Sequence, residues 1–282
     1  MLPCTFICGI FSSFGDRQGV DYSLEIFPPR KVAVAFPYDG EHQVLAMRER
    51  EIRGVDCYIV SRSPYTQRGE RRPLPSVPSR IGNVKVVVID LLQNHHAASA
   101  PWGQESAIRE ALLRGVVPCN LTWDDVLVVS DADEVVSSEA IEWLRLHISA
   151  GVRFTGRLEW NLYSRCWGGR TLRPLGLAST VLDAQLVGAN CVRNVGCSEL
   201  ENVELRVPPG YHCSWCFAGP GGLQQFRDKI AHIHEADGTD YVTIGRESWP
   251  DARIERLMKH GLWLDSKPHG RWVCPRHGHK VR

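Results

Sequence analysis

An α/β fold, with a doubly wound parallel half that runs on into a mixed sheet, is what this 282-residue sequence predicts. Three observations predict it. Between Lys31 and Ala150 short apolar runs alternate with segments of helical period, the pattern of parallel strands joined by crossover helices. Beyond Gly151 that alternation gives way to Val152–Ser164 and Ala178–Leu186, which read as strands of a mixed sheet, and turns become frequent. The run Val126-Leu-Val-Val-Ser-Asp-Ala-Asp-Glu-Val135 reads as an apolar strand that delivers Asp131, Asp133 and Glu134 at its carboxyl end.

The elements follow in order. Lys31–Phe36 is a buried strand, and after Asp39-Gly40 a helix runs from Glu41 to Arg53 with Val44, Leu45 and Ile52 inward. Asp56–Val60 is the second strand. Ser61–Arg80, rich in Pro and Arg and without a period, is a long loop. Val84–Ile89 is the third strand, and Pro101–Arg114 is a helix with Pro at its start and Ile108, Ala111 and Leu112 on one face. The carboxylate-bearing strand is fourth, followed by a helix from Glu139 to Leu146. Later helices span Gly221–Ile233 and Asp251–His260, the second stopped by Gly261. One domain over 31–265 is expected, with an N-terminal extension (1–30) and a basic tail (266–282).

Composition narrows the class. With 43% hydrophobic residues, 23% charged residues and a net charge of +1, the chain gives no reason to invoke nucleic acid or an anionic membrane surface. The apolar run Thr5–Phe14 is too short to span a bilayer and has no basic residue ahead of it, so neither a transmembrane anchor nor a signal peptide is expected. A soluble cytoplasmic protein is the expectation. Ten cysteines and the sequon Asn120-Leu-Thr122 leave a lumenal one open, although Cys57, inside an apolar strand, reads as a reduced thiol acting as a small hydrophobe.

The acidic cluster has two readings. Asp-x-Asp at the carboxyl end of a parallel strand can hold a divalent cation against a diphosphate. The same acids could simply favour the start of the following helix through its dipole. Two further segments bear on the choice: Pro208-Pro-Gly-Tyr-His-Cys-Ser-Trp-Cys-Phe217, which gathers imidazole, hydroxyl, indole and two thiols, and Lys229-Ile-Ala-His-Ile-His-Glu235. Each carries a bland alternative. His212 could bond a backbone group in a buried turn, His234 and Glu235 could be a solvated helix end, and Trp215 and Phe217 could be core. Arg62, Arg68, Arg71 and Arg72 could clamp a diphosphate or be solvated. Cys213-x-x-Cys216 with Cys274-x-x-His277 has the pair spacing of a structural zinc site.

In that order, the Asp-x-Asp-Glu strand, the His-Cys-Ser-Trp-Cys-Phe segment and the Lys-Ile…His-Glu segment resemble glycosyltransferase family 17, over roughly Lys31 to Asp265. Weaker matches support the order: Glu41 and Arg48 on the first helix, Gly69-Glu-Arg-Arg-Pro-Leu74, Trp102, Glu105 and Arg109, and Leu162-Tyr163 with Trp167. Departures occur where the family carries Asn after strand one and Glu after strand two; this chain has Pro37 and Asp39, and Arg62.

The resemblance implies a GT-A-like single domain, with a Rossmann-like nucleotide-sugar half (31–150), a mixed central sheet and an acceptor half (151–265). It implies inverting transfer of N-acetylglucosamine from UDP-GlcNAc to a mannose hydroxyl of a glycan or glycoprotein, in a β-1,4, bisecting-type linkage, assisted by Mn²⁺ or Mg²⁺. Asp131, Asp133 and His212 are the implied metal ligands. Glu41, Arg48, Trp102, Glu105, Arg109, Asp131, His212 and Trp215 are the implied donor-site residues. For the base that deprotonates the acceptor, Glu235, Glu134 and Glu159 stand in that order, and Tyr211, Trp215, Tyr163 and Trp167 are the aromatic faces available to a sugar. A transferase with a different sugar or acceptor, and an inactive carbohydrate-binding or zinc-stabilised module, are the alternatives; oligomeric state is left open.

Overall fold

The computed structural model describes residues 29–66, 69–96, 102–162, 167–168, 170–171, 174–214, 216, 223–224, 226–227, 250–260 and 271–272. Strand β1 (Val32–Pro37) shows why this half forms a doubly wound sheet. Val32, Val34 and Phe36 face one core cluster and Ala33 and Ala35 the other, and all five are fully buried. An apolar residue at every position is what a strand covered on both faces requires, and each large side chain so buried contributes about 1.5–3 kcal/mol.

Helix α1 (His42–Glu51) leads to β2 (Cys57–Arg62), then to β3 (Arg80–Ile81) and β4 (Val84–Asp90). Helix α2 (Gly103–Ala111) and a 3₁₀ turn at Leu112–Gly115 lead to β5 (Val126–Val129). β4, β2, β1 and β5 lie side by side and parallel. The chain winds outward from β1 through β2 to β4 and then returns to place β5 on the other side of β1. The direction of winding therefore reverses between β1 and β5, and ligands of such sheets bind outside the carboxyl ends of the strands at that reversal.

The carboxylate segment is two strands rather than one. β5 ends at Val129, a turn takes residues 131–133, and β6 (Glu134–Val136) belongs to a second sheet. Helix α3 (Ser138–His147) starts at Ser137, whose hydroxyl accepts the Ala140 N–H at 3.0 Å, and ends with Arg145 and His147 in the last turn. β7 (Val152–Gly156) and β8 (Glu159–Leu162) divide the predicted 152–164 strand, and the short β9 (Trp167–Gly168) and β10 (Arg170–Thr171) follow.

The expected strand Ala178–Leu186 is corrected. β11 is Leu175–Thr180, and Val181–Val187 is helix α4. Thr180 accepts the Asp183 N–H at 3.1 Å and donates its hydroxyl to the Asp183 carboxylate at 2.7 Å, a reciprocal cap that starts a helix in spite of the apolar run. Helix α5 (Ala189–Arg193), β12 (Glu201–Glu204), β13 (Gly210–Ser214), helix α6 (Asp251–His260) and β14 (Arg271–Trp272) complete the described elements.

β11 joins the main sheet antiparallel to β5, which makes that sheet mixed, as expected. The second sheet, ordered β10-β8-β13-β6, lies beyond the carboxyl end of β5. The predicted helix at 221–233 and the tail at 266–282 lie largely outside the described residues. Among the described residues, no helix is long and apolar enough to cross a membrane.

Among the described residues, six cysteines are paired: Cys57–Cys119, Cys191–Cys197 and Cys213–Cys216. Cys57 is therefore not the reduced thiol expected from its strand. Its Cα lies 5.9 Å from that of Cys119, within disulfide reach.

Candidate active site

The turn after β5 is built around Arg48. This side chain is fully buried, with its guanidinium 4.0 Å above the Phe36 ring, and it donates to the carbonyls of Asp131 (2.8 Å), Ala132 (3.1 and 3.3 Å) and Glu134 (2.7 Å) and to the Ser130 hydroxyl (3.1 Å). A planar fork with five donors can serve several carbonyls of one tight turn, which a lysine cannot. Burial pulls the Arg48 pKa down, against the opposing pull of Tyr58, Glu134 and Asp133. With no exposed surface, Arg48 cannot meet a nucleotide. The donor-contact role implied for it becomes a positioning role.

Above that turn the charges form a chain. Arg109 Nη2 donates to Glu105 at 2.7 Å and to Asp131 Oδ1 at 2.9 Å, and Arg109 Nη1 donates to Asn190 Oδ1 at 3.2 Å. Arg193, from α5, lies 3.5 Å from Asp131 Oδ2 and ion-pairs with Glu134 Oε1. Glu134 Oε2 accepts the Asp131 N–H at 2.8 Å. Burial would raise the Asp131 pKa, but Arg109 and Arg193 outweigh it and hold the carboxyl at about 2. Burial also pushes Glu105 up, with Arg109 pulling the other way and Asp131 adding to the rise.

His212 reaches the same place from β13. In register it pairs with Glu134 of β6 and Trp160 of β8, so these three side chains share one face of the second sheet. Trp160 Nε1 donates to Ser214 Oγ at 2.8 Å, and Ser214 Oγ lies 2.9 Å from His212 Nε2. An indole N–H only donates, so Trp160 fixes the Ser214 hydroxyl, which in turn holds the His212 ring in place at Nε2. Cys213 N–H donates to the Asp133 carbonyl at 2.7 Å, pinning the two segments together. Gly210 makes the approach possible: its φ is 123°, and a Cβ there would stand 2.1 Å from the Val135 carbonyl oxygen.

The three implied metal ligands divide. Asp133 Oδ2 and His212 Nε2 are 3.3 Å apart. Two ligands in adjacent positions on one cation, with bonds of about 2.1 Å, stand roughly 3.0–3.4 Å apart, so this pair fits a divalent ion. Asp131 does not join them, because both its oxygens face guanidinium groups. Among the described residues, the three-ligand grouping is instead Cys191, Cys197 and Glu199, where the disulfide occupies both sulfurs. The zinc alternative at Cys213 and Cys216 meets the same obstacle, since those thiols are joined to each other.

Of the other predicted residues, Glu105 and Arg109 are brought to Asp131, while Glu41 sits at the start of α1 and Trp102, 39% exposed, at the start of α2. Glu134 is buried with both oxygens engaged, so it cannot take a proton from an acceptor. Glu159 pairs in register with Tyr211, on the face opposite His212. Tyr211 is buried and donates its hydroxyl to Glu51 at 2.6 Å, which removes it as a sugar platform. Arg62 donates to Asp90 at 2.7 Å, and Arg72 ion-pairs with Asp39. Arg68, Tyr163, Trp215, Phe217, His234, Glu235, Cys274 and His277, and the side chain of Trp167, lie outside the described residues. The sequence reading missed Arg193, Asn190 and Ser214. Only Ser214, inside the aromatic-thiol segment, carried a local signal.

No family model matches the chain. It is similar to three curated proteins named beta-1,4-mannosyl-glycoprotein 4-beta-N-acetylglucosaminyltransferase: 26% identical over 271 residues to that of Homo sapiens, and 25% identical to those of Rattus norvegicus and Mus musculus. Each alignment covers 84% of this chain and 49% of the relative, so the chain spans about half the length of the curated relatives it matches. These similarities support the resemblance read from the motifs. Among solved structures, a 4-diphosphocytidyl-2C-methyl-D-erythritol synthase overlaps 82% of this chain and 99% of its own, at 14% identity and a TM-score of 0.34. S. aureus TarS 1-349 overlaps 81% of this chain and 69% of its own, at 9% identity and a TM-score of 0.36.

Proposed function

We propose that the chain is an inverting, metal-dependent glycosyltransferase of GT-A-like architecture, moving N-acetylglucosamine from UDP-GlcNAc to a mannose-containing glycan through a β-1,4 linkage. The observation that carries this reading is the Asp133–His212 pair, 3.3 Å apart outside the carboxyl end of β5 at the reversal of the sheet. The names of the similar proteins supply donor sugar, acceptor and linkage. Residues 31–150 would form the nucleotide-sugar half and 151–265 the acceptor half.

In this reading Asp133 and His212 hold Mn²⁺ or Mg²⁺, whose chemistry is to offset charge gathering on the leaving diphosphate. Asp131, kept ionised by Arg109 and Arg193, is a fixed acceptor for a donor hydroxyl. Arg48 keeps the turn rigid, so the carboxylates need not reorganise as charge develops. The acceptor oxygen attacks the anomeric carbon as the bond from that carbon to the diphosphate oxygen breaks on the opposite face. A carboxylate takes the hydroxyl proton. Glu134 is committed to Arg193 and Glu159 lies on the other face of the sheet, which leaves Glu235 as the base we assign.

The three disulfides among the described residues favour an oxidising compartment over the cytoplasmic placement expected from the sequence. A screen of UDP-sugars against glycan acceptors tests the whole reading. Turnover of UDP-GlcNAc on a mannose-terminated acceptor, lost in Asp133→Ala and His212→Ala, is expected; turnover that survives either substitution would overturn it.

A further inference from the structure

We propose that Asn120 carries an N-linked glycan, added in the same oxidising compartment that forms the disulfides. This goes beyond the transferase reading and does not depend on it. The triplet Asn120-Leu121-Thr122 is an acceptor sequence, but such triplets matter only where the chain meets the glycosylating machinery and the asparagine is reachable. Both conditions have observations behind them.

Compartment comes first. The pairs Cys57–Cys119, Cys191–Cys197 and Cys213–Cys216 lie on separate parts of the fold, and cytosolic glutathione keeps such thiols reduced. One of the bonded cysteines, Cys119, is the residue next to Asn120. Access comes second. Asn120 is exposed in the turn between the 3₁₀ turn and β5, at φ 53°, a left-handed conformation that asparagine tolerates. Among the described residues its side-chain amide takes part in no hydrogen bond, while its backbone is held on both sides: the N–H donates to the Val117 carbonyl at 2.8 Å and the carbonyl accepts from Lys31 Nζ at 2.7 Å. Thr122 is exposed as well.

The location also suits a bulky modification. Asn120 sits at the amino end of β1 and β5, since Lys31, which holds its carbonyl, also accepts the Val126 N–H. The carboxylate turn leaves the other end of β5. Four strand residues at about 3.3 Å each separate the two by roughly 13 Å or more, so the glycan stands clear of the candidate site.

The step balances with a polyprenyl-diphosphate-linked oligosaccharide as co-reactant. The Asn120 amide nitrogen forms a bond to the anomeric carbon, that carbon's bond to the diphosphate oxygen breaks, the lipid diphosphate leaves, and the amide gives up one proton.

To test this, the full chain is directed into a eukaryotic secretory pathway by a cleavable leader and compared before and after peptide-N-glycosidase F. A shift to lower mass is expected, with Asn120 recovered as aspartate. Asn120→Gln and Thr122→Ala should abolish the shift, whereas Thr122→Ser, which keeps the hydroxyl that donates to Asp125, should retain it. Secreted wild type with Cys57–Cys119, Cys191–Cys197 and Cys213–Cys216 formed and Asn120 unmodified would overturn the site. The same chain made in a reducing cytosol is expected to melt at a lower temperature, and equal melting of reduced and oxidised protein would overturn the assignment of compartment.

Discussion

Replacing Arg48 with methionine removes every donor that holds the carboxylate turn while keeping much of the aliphatic length. Three carbonyls, of Asp131, Ala132 and Glu134, lose this donor, as does the Ser130 hydroxyl, while the Asp131 carbonyl keeps the Glu134 N–H at 3.1 Å. A hydrogen bond to a charged group contributes about 1.5–3 kcal/mol, so the three carbonyls together set an upper figure of about 5–9 kcal/mol. Against this stands the desolvation of a wholly buried guanidinium, an effective cost of several kcal/mol that the substitution relieves. The difference is a net loss of about 3 kcal/mol. Guanidinium chloride unfolding measures it. Calorimetric titration with UDP in the presence of Mn²⁺ reads the functional side, where affinity should fall at least roughly tenfold, equivalent to about 1.4 kcal/mol. Arg48→Lys should recover only part of both losses, because one ammonium cannot span the turn. A methionine variant that unfolds within about 0.5 kcal/mol of wild type and binds UDP equally would refute a positioning role.

Other consequences follow from the same contacts. Gly210→Ala should cost more than about 2 kcal/mol in a thermal melt, because φ 123° and a contact of 2.1 Å with the Val135 carbonyl oxygen both oppose a Cβ. Removing the Cys57–Cys119 bond as a double alanine variant should lower stability by about 3–4 kcal/mol, since the bond closes a separation of 62 residues. The Asp131 carboxyl, at about 2, lies below its unfolded value, so the stability it contributes is present above pH ~4 and lost as pH falls toward 2. Because its side chain is 38% exposed, screening reduces that contribution to about 1 kcal/mol; Asp131→Asn should flatten the acid limb of the stability profile, and an unchanged limb would contradict the pairing with Arg109 and Arg193.

What could be read from the sequence was set by periodicity and by local chemistry. The all-apolar runs at Val32–Phe36, Cys57–Val60 and Val126–Val129 announce strands buried on both faces, and the helical periods between them announce crossovers, so the parallel half was legible. Asp251–His260 came out residue for residue. The error at 178–186 arose because an apolar run has no period of its own, and one Thr180–Asp183 cap decided for helix from residue 181. In the site, Asp133 and His212 were visible as motif residues, but their 3.3 Å contact depends on β13 pairing with β6, a register that no local pattern announces. Arg193 was invisible, because nothing in Ala189–Arg193 distinguishes it from a solvated arginine. Its packing against β11 at Gly176, where an added Cβ would stand 1.8 Å from the Val192 carbonyl oxygen, aims it at Asp131 and Glu134. Arg48 stood out in the sequence as a motif residue, but its full burial beneath the turn is a tertiary property that no local pattern announces.

Titrating Mn²⁺ into the protein and following the free-ion EPR signal, with and without UDP, tests whether Asp133 and His212 hold a cation for a nucleotide donor. Wild type should remove one equivalent of free Mn²⁺, more tightly with UDP present. Asp133→Ala and His212→Ala should each lose that binding, while Glu159→Ala keeps it. Equal Mn²⁺ and UDP binding by wild type and the Asp133→Ala variant would contradict the assignment.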